Sequence, residues 1–186
     1  MSLLFSAIAY SQDDEWYWNE STKDAVYEAA NSKFVKKWCT PSGESGMPDD
    51  YFILNANGTF KLIRTMTHPE ISVPFTTTMS GSWKRVEKMT LMTTITNVTI
   101  AANQKDLAKL SARKRDENQK MIKYLQTITK PQFVGKKTYN SIYRIDEDHL
   151  ILSDGGYWRS ERLRKKELDS IKVEETKKVE EANRAE

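Results

Sequence analysis

Two histidines, one cysteine, five prolines and seven glycines are all that this 186-residue chain holds of the residues that most often carry or shape chemistry. Each scarcity excludes something. With so little glycine, no Gly-x-Gly-x-x-Gly turn and no phosphate-cradling P-loop occurs. A single Cys39 has no partner for an intramolecular disulfide, so it is a buried thiol or an intermolecular link. His68-Pro69-Glu70 is not a His-Glu-x-x-His zinc motif, and neither His68 nor His149 stands near a Gly-x-Ser-x-Gly nucleophile. No apolar run approaches the roughly 18 residues of a membrane-spanning helix. The expectation is a chain without a catalytic site, a metal or a cofactor.

Charge of one sign is also missing. Lys and Arg number 29 against 26 Asp and Glu, a net +3, and the two signs interleave along the chain. A nucleic-acid binder concentrates its basic residues on one face, so no nucleic-acid partner is expected.

What is present begins with an apolar, uncharged stretch, Met1 to Ser11, that switches abruptly to Gln12-Asp13-Asp14-Glu15. Small residues at Ala9 and Ser11 sit where a signal peptidase cuts, so residues 1–11 read as a signal-peptide-like segment and the protein as exported, periplasmic or extracellular. An apolar first element that simply packs is the alternative. Residues 12–33 form an acidic lead-in with Trp16, Tyr17 and Trp18, then a short helix capped by Ser21 or Thr22. Its apolar residues Val26, Ala29, Ala30 and Phe34 recur at helical spacing.

From Phe34 the period changes to that of strands. About nine are expected: Phe34–Thr40, Tyr51–Leu54, Thr59–Thr67, Ser72–Met79, Gly81–Val86, Met89–Ile100, Tyr139–Ile145, His149–Ser153 and Tyr157–Lys165. Asn57-Gly58 predicts a type I′ hairpin turn. In the strand after it, Phe60, Leu62 and Arg64 share one face. Pro74 confines its strand to an edge or a bulge. Between residues 103 and 129 the chain has neither Gly nor Pro, and Leu107, Leu110, Met121, Leu125 and Ile128 fall on a helical stripe. A helix of about 26 residues, ended by Pro131, would be roughly 39 Å long. Its seven basic residues outnumber three acidic ones, centred on Arg113-Lys114-Arg115. Residues 166–186 read as a charged helix or tail with a thin stripe at Leu168, Ile171, Glu175, Val179 and Ala182. The whole is a mainly β, antiparallel barrel over 34–165, with a helix inserted before its last strands.

Several of these motifs occur together in a known setting: Trp38 on the first strand, Asn57-Gly58-Thr59-Phe60 at the hairpin, Gly81-Ser82-Trp83, the run from Tyr143 to Leu152, and an arginine (Arg162 or Arg164) in the closing strand. Together they resemble the lipocalin-like (calycin) β-barrel domains of secreted bacterial proteins, especially those of the Bacteroidetes. The likeness spans about Phe34 to Lys165. Lys36 stands where the family has glycine, and the helix interrupts the strand run. The resemblance implies an up-and-down barrel whose mouth takes a small apolar or amphipathic ligand, and no reaction. Phe60, Leu62, Trp83, Tyr143 and Trp158 are the candidate ligand contacts; Trp38, Gly58 and Arg162 are candidate structural residues. The competing expectation is a filled scaffold whose helix 103–129 meets a protein or envelope partner through exposed Leu107, Leu110, Leu125 and Ile128.

Overall fold

The computed structural model describes residues 33–41 and 47–185. The signal-like segment, the acidic lead-in and the N-terminal helix expected before residue 33 lie outside the described residues. Eight strands form one closed antiparallel barrel, each paired with the next and the last with the first. They are β1 (Lys37–Thr40), β2 (Asp50–Leu54), β3 (Thr59–His68), β4 (Ile71–Glu87), β5 (Thr90–Ala102), β6 (Lys137–Ile145), β7 (His149–Leu152) and β8 (Tyr157–Ser160). Among the described residues three helices accompany them: α1 (Gln104–Ala108), α2 (Ala112–Phe133) and α3 (Glu161–Ala185).

The expected nine strands become eight because Ser72–Met79 and Gly81–Val86 are one strand, β4. Glycine at 81 permits the continuity. A Cβ there would lie 1.9 Å from the Thr94 carbonyl oxygen, beside the register shift that β5 makes opposite Ser80 and Gly81. Only glycine lets the two backbones approach so closely. Pro74 does sit in a bulge. The β3–β4 register runs Met66 to Phe75 and then His68 to Ile71, so Pro74 is skipped by the ladder that it cannot donate to.

The hairpin at Asn57-Gly58 is real, but its turn is not type I′. Gly58 has φ +76° and no other residue type among those described has positive φ. The Gly58 N–H bonds to Asn55 O at 3.0 Å and the Asn55 N–H to Thr59 O at 2.9 Å. This is the longer loop in which an ordinary turn is followed by one left-handed glycine. Asn57 uses its side chain instead, accepting from the Thr59 N–H at 3.1 Å.

The inserted helix is two helices. Ser111 starts α2 by accepting from the Lys114 N–H at 3.5 Å, and the Arg115 guanidinium reaches back to the carbonyls of Leu107, Ala108 and Leu110 that end α1. A cap and a cation therefore satisfy a break that no glycine or proline announces. Pro131 does not end α2. In the last turn its missing N–H costs one bond, and the helix runs on to Phe133 before Gly135 turns it at φ +85°.

The closing strand is shorter than expected. Ser160 accepts from the Leu163 N–H at 3.1 Å and so starts α3. Arg162 and Arg164 are consequently on the first turns of a helix, not in a strand. Arg164 grips Asp49 through two bonds of 2.6 and 2.9 Å, both side chains largely shielded, while the more exposed Arg162 pairs with Asp148 at 2.8 Å. These pairs fasten α3 to the barrel. Beyond Glu167 the helix is mostly exposed.

Two cores result. The barrel holds Phe34, Trp38, Phe52, Leu54, Phe60, Trp83, Leu91, Ile95, Val98, Ile142, Leu150, Leu152 and Trp158. A second core lies where β3, β4 and β5 run past their neighbours. There Ile71, Val73, Phe75 and Ala102 meet Leu107 of α1, with Met121, Ile122 and Leu125 of α2 packed alongside. No helix among the described residues is long and apolar enough to cross a membrane.

Candidate functional site

Inside the barrel is a partly open cavity of about 250 Å³. Alternation along the strands brings its walls together, since residues two apart share a face. From β3 come Phe60, Leu62 and Arg64, the face predicted from the sequence; Phe52 comes from β2 and Met79 from β4. Thr93 and Ile95 of β5, Thr138 and Asn140 of β6, Leu152 of β7 and Trp158 of β8 complete the ring. Phe133, at the end of α2, and Asp154, in the β7–β8 turn, also line it.

Phe52 organises the aromatic wall. Its ring meets Phe60 edge-on at 6.0 Å between centroids and leans against Trp158 at 5.5 Å. Offset and edge contacts of this kind add stability beyond the area they bury, and they fix the wall without filling the space in front of it. The floor is buried, with Phe52, Phe60, Leu152, Trp158, Thr93 and Asn140 all nearly closed to solvent. The rim carries the charges. Arg64 is half exposed and stands 3.6 Å from Asp50; Asp154 accepts from the Gly156 N–H at 2.9 Å. Burial raises the Asp50 carboxyl above its ordinary pKa, against the Thr65 N–H and Arg64, which favour its ionised form.

Of the five candidate contacts, Phe60, Leu62 and Trp158 line the cavity. Trp83 does not. Its ring turns toward the opposite end, 6.0 Å from Phe34, and its indole N–H donates to Asn55 O at 3.0 Å. Tyr143 is on the outer wall, 59% exposed, because Asn140 and Ile142 take the inward positions of β6 up to the register shift at Ile142 and Arg144. Trp38 is core, wholly buried, with its indole N–H on Phe34 O at 3.1 Å. Gly58 shapes the β2–β3 turn and accepts from the Trp83 N–H at 2.7 Å. The two polar floor residues, Thr93 and Asn140, were missed. For Thr93 the signal was available, since it shares its strand face with Leu91 and Ile95 two residues away on either side; Asn140 has only Ile142 as a large apolar residue on its face, and the aromatic residues Tyr139 and Tyr143 pointed to the other one. Phe133 was beyond reach, because the proline before it read as a stop.

Nothing in the histidines suggests a reaction centre. His149 Nδ1 lies 3.0 Å from Asp146 in a surface turn, and His68 accepts from the Glu70 N–H at 3.2 Å. Among the described residues no group of three or more Cys, His, Asp and Glu is placed to hold a metal ion. Cys39 is buried, and desolvation pushes its thiol up to about 11, which leaves it unreactive at neutral pH.

The helical residues expected to be exposed are mostly covered. Leu107 is buried, Leu110 and Leu125 pack on the second core, and Ile128 alone is exposed. Comparison with protein-family models, with curated proteins and with solved structures finds no match. The eight-stranded antiparallel barrel is compatible with the lipocalin-like architecture that the motifs resemble.

Proposed function

We propose that this chain is an exported, non-enzymatic, lipocalin-like binding protein that holds a small apolar or amphipathic molecule in its barrel. The observation that carries the reading is the unfilled interior, about 250 Å³ behind an aromatic wall of Phe52, Phe60, Phe133 and Trp158. Ligand sites are concave, mostly apolar and few in each protein. The volume falls just under the roughly 300 Å³ at which pockets for drug-sized ligands begin. A cavity of roughly 150 Å³ lined by such groups admits benzene. The cargo is therefore a single ring or a short chain. Export rests on the apolar-to-acidic switch at Ser11 and Gln12. The alternative, a filled scaffold working through its helix, draws less support, because Leu107, Leu110 and Leu125 are already occupied by the sheet.

Native mass spectrometry of the full chain purified gently from its own host tests the proposal. A reproducible added mass, lost on denaturation, is expected. A clean apo mass, together with Trp158 fluorescence indifferent to a panel of small aromatic and aliphatic molecules, would overturn it. Sequencing the N-terminus of the same material is expected to start at Gln12.

A further inference from the structure

The floor of the cavity contains two polar side chains that an apolar ligand alone would waste. Thr93 is 7% exposed and Asn140 8%, both line the cavity, and neither side chain has a hydrogen-bond partner among the described residues. They are adjacent. In the β5–β6 ladder Thr93 pairs with Thr138 and Leu91 with Asn140, so Thr93 and Asn140 are diagonal neighbours on the inward face. Buried polar groups are almost always satisfied, and leaving one without a partner is costly. The rest of the strand face shows that apolar residues fit here, for Leu91 and Ile95 flank Thr93 and Ile142 follows Asn140.

The same floor argues against a charged head. Its other members are Phe52, Phe60, Leu152 and Trp158, with no ionisable group among them, and the charges Arg64 and Asp154 stand at the rim with opposite signs. An ion taken to the floor would lose its hydration without gaining a counter-charge. A neutral hydroxyl suits both partners. A carboxamide offers two N–H donors and a carbonyl acceptor, and a threonine hydroxyl both donates and accepts.

Resting on the binding reading above, we infer that the cargo is a small neutral aromatic alcohol or phenol, bound hydroxyl first, with its oxygen between Thr93 and Asn140 and its ring against Phe52, Phe60 and Trp158. The volume suits one ring with a short substituent.

The test compares benzyl alcohol with ethylbenzene, which replaces the hydroxyl by a methyl group of similar size. Amide and side-chain chemical shifts of the full-length protein are followed by NMR during titration with each. Both probes are expected to shift Phe60, Ile95 and Leu152, and only the alcohol the Asn140 side-chain N–H₂. The ratio of the two dissociation constants is the readout. In Thr93→Val with Asn140→Leu the preference for the alcohol is expected to fall about ten-fold or more, as loss of a buried hydrogen bond implies. Thr93→Ser, which keeps the hydroxyl, retains it. If the double variant does not fold, Thr93→Val against Thr93→Ser gives the same comparison. A ratio unchanged by removing both groups would overturn the inference and leave the binding reading standing, with solvent alone as the partner of the floor. Failure of both probes to shift any cavity residue at millimolar concentration would overturn the binding reading as well.

Discussion

At the scale of single residues, small groups decide as much as large ones. Gly81 is the clearest case, since a methyl group there would collide with the Thr94 carbonyl of the neighbouring strand. Gly81→Ala is expected to lower stability by about 3 kcal/mol, the upper range for overpacking, as measured by urea unfolding. The glycine is plain in the sequence, but its necessity is not, because it depends on a bulge in the neighbouring strand. Asp146 matters for a different reason. Burial opposes its ionisation, yet the Asp148 and His149 N–H groups, Arg144 and the His149 ring bond to the carboxylate and hold its pKa down at about 2. A depressed folded-state value means that the contribution is complete above the ordinary carboxylate range and is lost as pH falls through about 2. The carboxyl is well exposed, so solvent screening cuts the benefit to about 1 kcal/mol. Asp146→Asn should cost that much at pH 7, and melting curves of the two proteins should converge between pH 4 and 2 (about the ordinary and shifted values).

At the scale of elements, the strands were legible and their ends were not. Alternation locates Phe60, Leu62 and Arg64 on one face because a period of two is local. The length of β8 and the start of α3 depend on Ser160, which accepts from the Leu163 N–H and bonds its hydroxyl to Asp148, a residue of another turn. The long inserted helix shows the same limit. Its composition is visible, but its task is not. Beyond Thr94 the β5 strand has lost β6 as a ladder partner, and a bare edge of this kind invites pairing with other chains. Gln126 covers it: its side-chain carbonyl accepts from the Ile100 N–H and its N–H₂ donates to Val98 O, each at 2.5 Å. One glutamine thus stands in for a strand residue. Nearby Asn118 is buried, accepting from the Ser72 N–H at 2.7 Å and donating to Lys114 O at 2.6 Å. Gln126→Leu should destabilise the protein by about 2 kcal/mol and shift it toward dimers or larger species in analytical ultracentrifugation. Unchanged sedimentation would show that the edge needs no cover.

At the scale of the whole molecule, closure of the barrel rests on its shortest ladder. Strands β3, β4 and β5 pair over long stretches, whereas β1 and β8 meet in two residue pairs, Trp38 with Ser160 and Cys39 with Arg159. The Asp49–Arg164 pair sits beside this seam and braces it. A ring of chain opens where it is held least, so the β1–β8 clasp should exchange its amide hydrogens before the β4–β5 ladder does. The lone thiol lies in that clasp, its Sγ 3.5 Å from the Arg159 carbonyl oxygen. Shut, it is desolvated and inert; open, it meets water and ionises as an ordinary cysteine. The rate at which a thiol reagent labels Cys39 is therefore a clock for the breathing of the barrel. If cargo enters by that breathing, labelling and ligand association will slow together when Arg164 is strengthened in its grip and quicken together when it is removed.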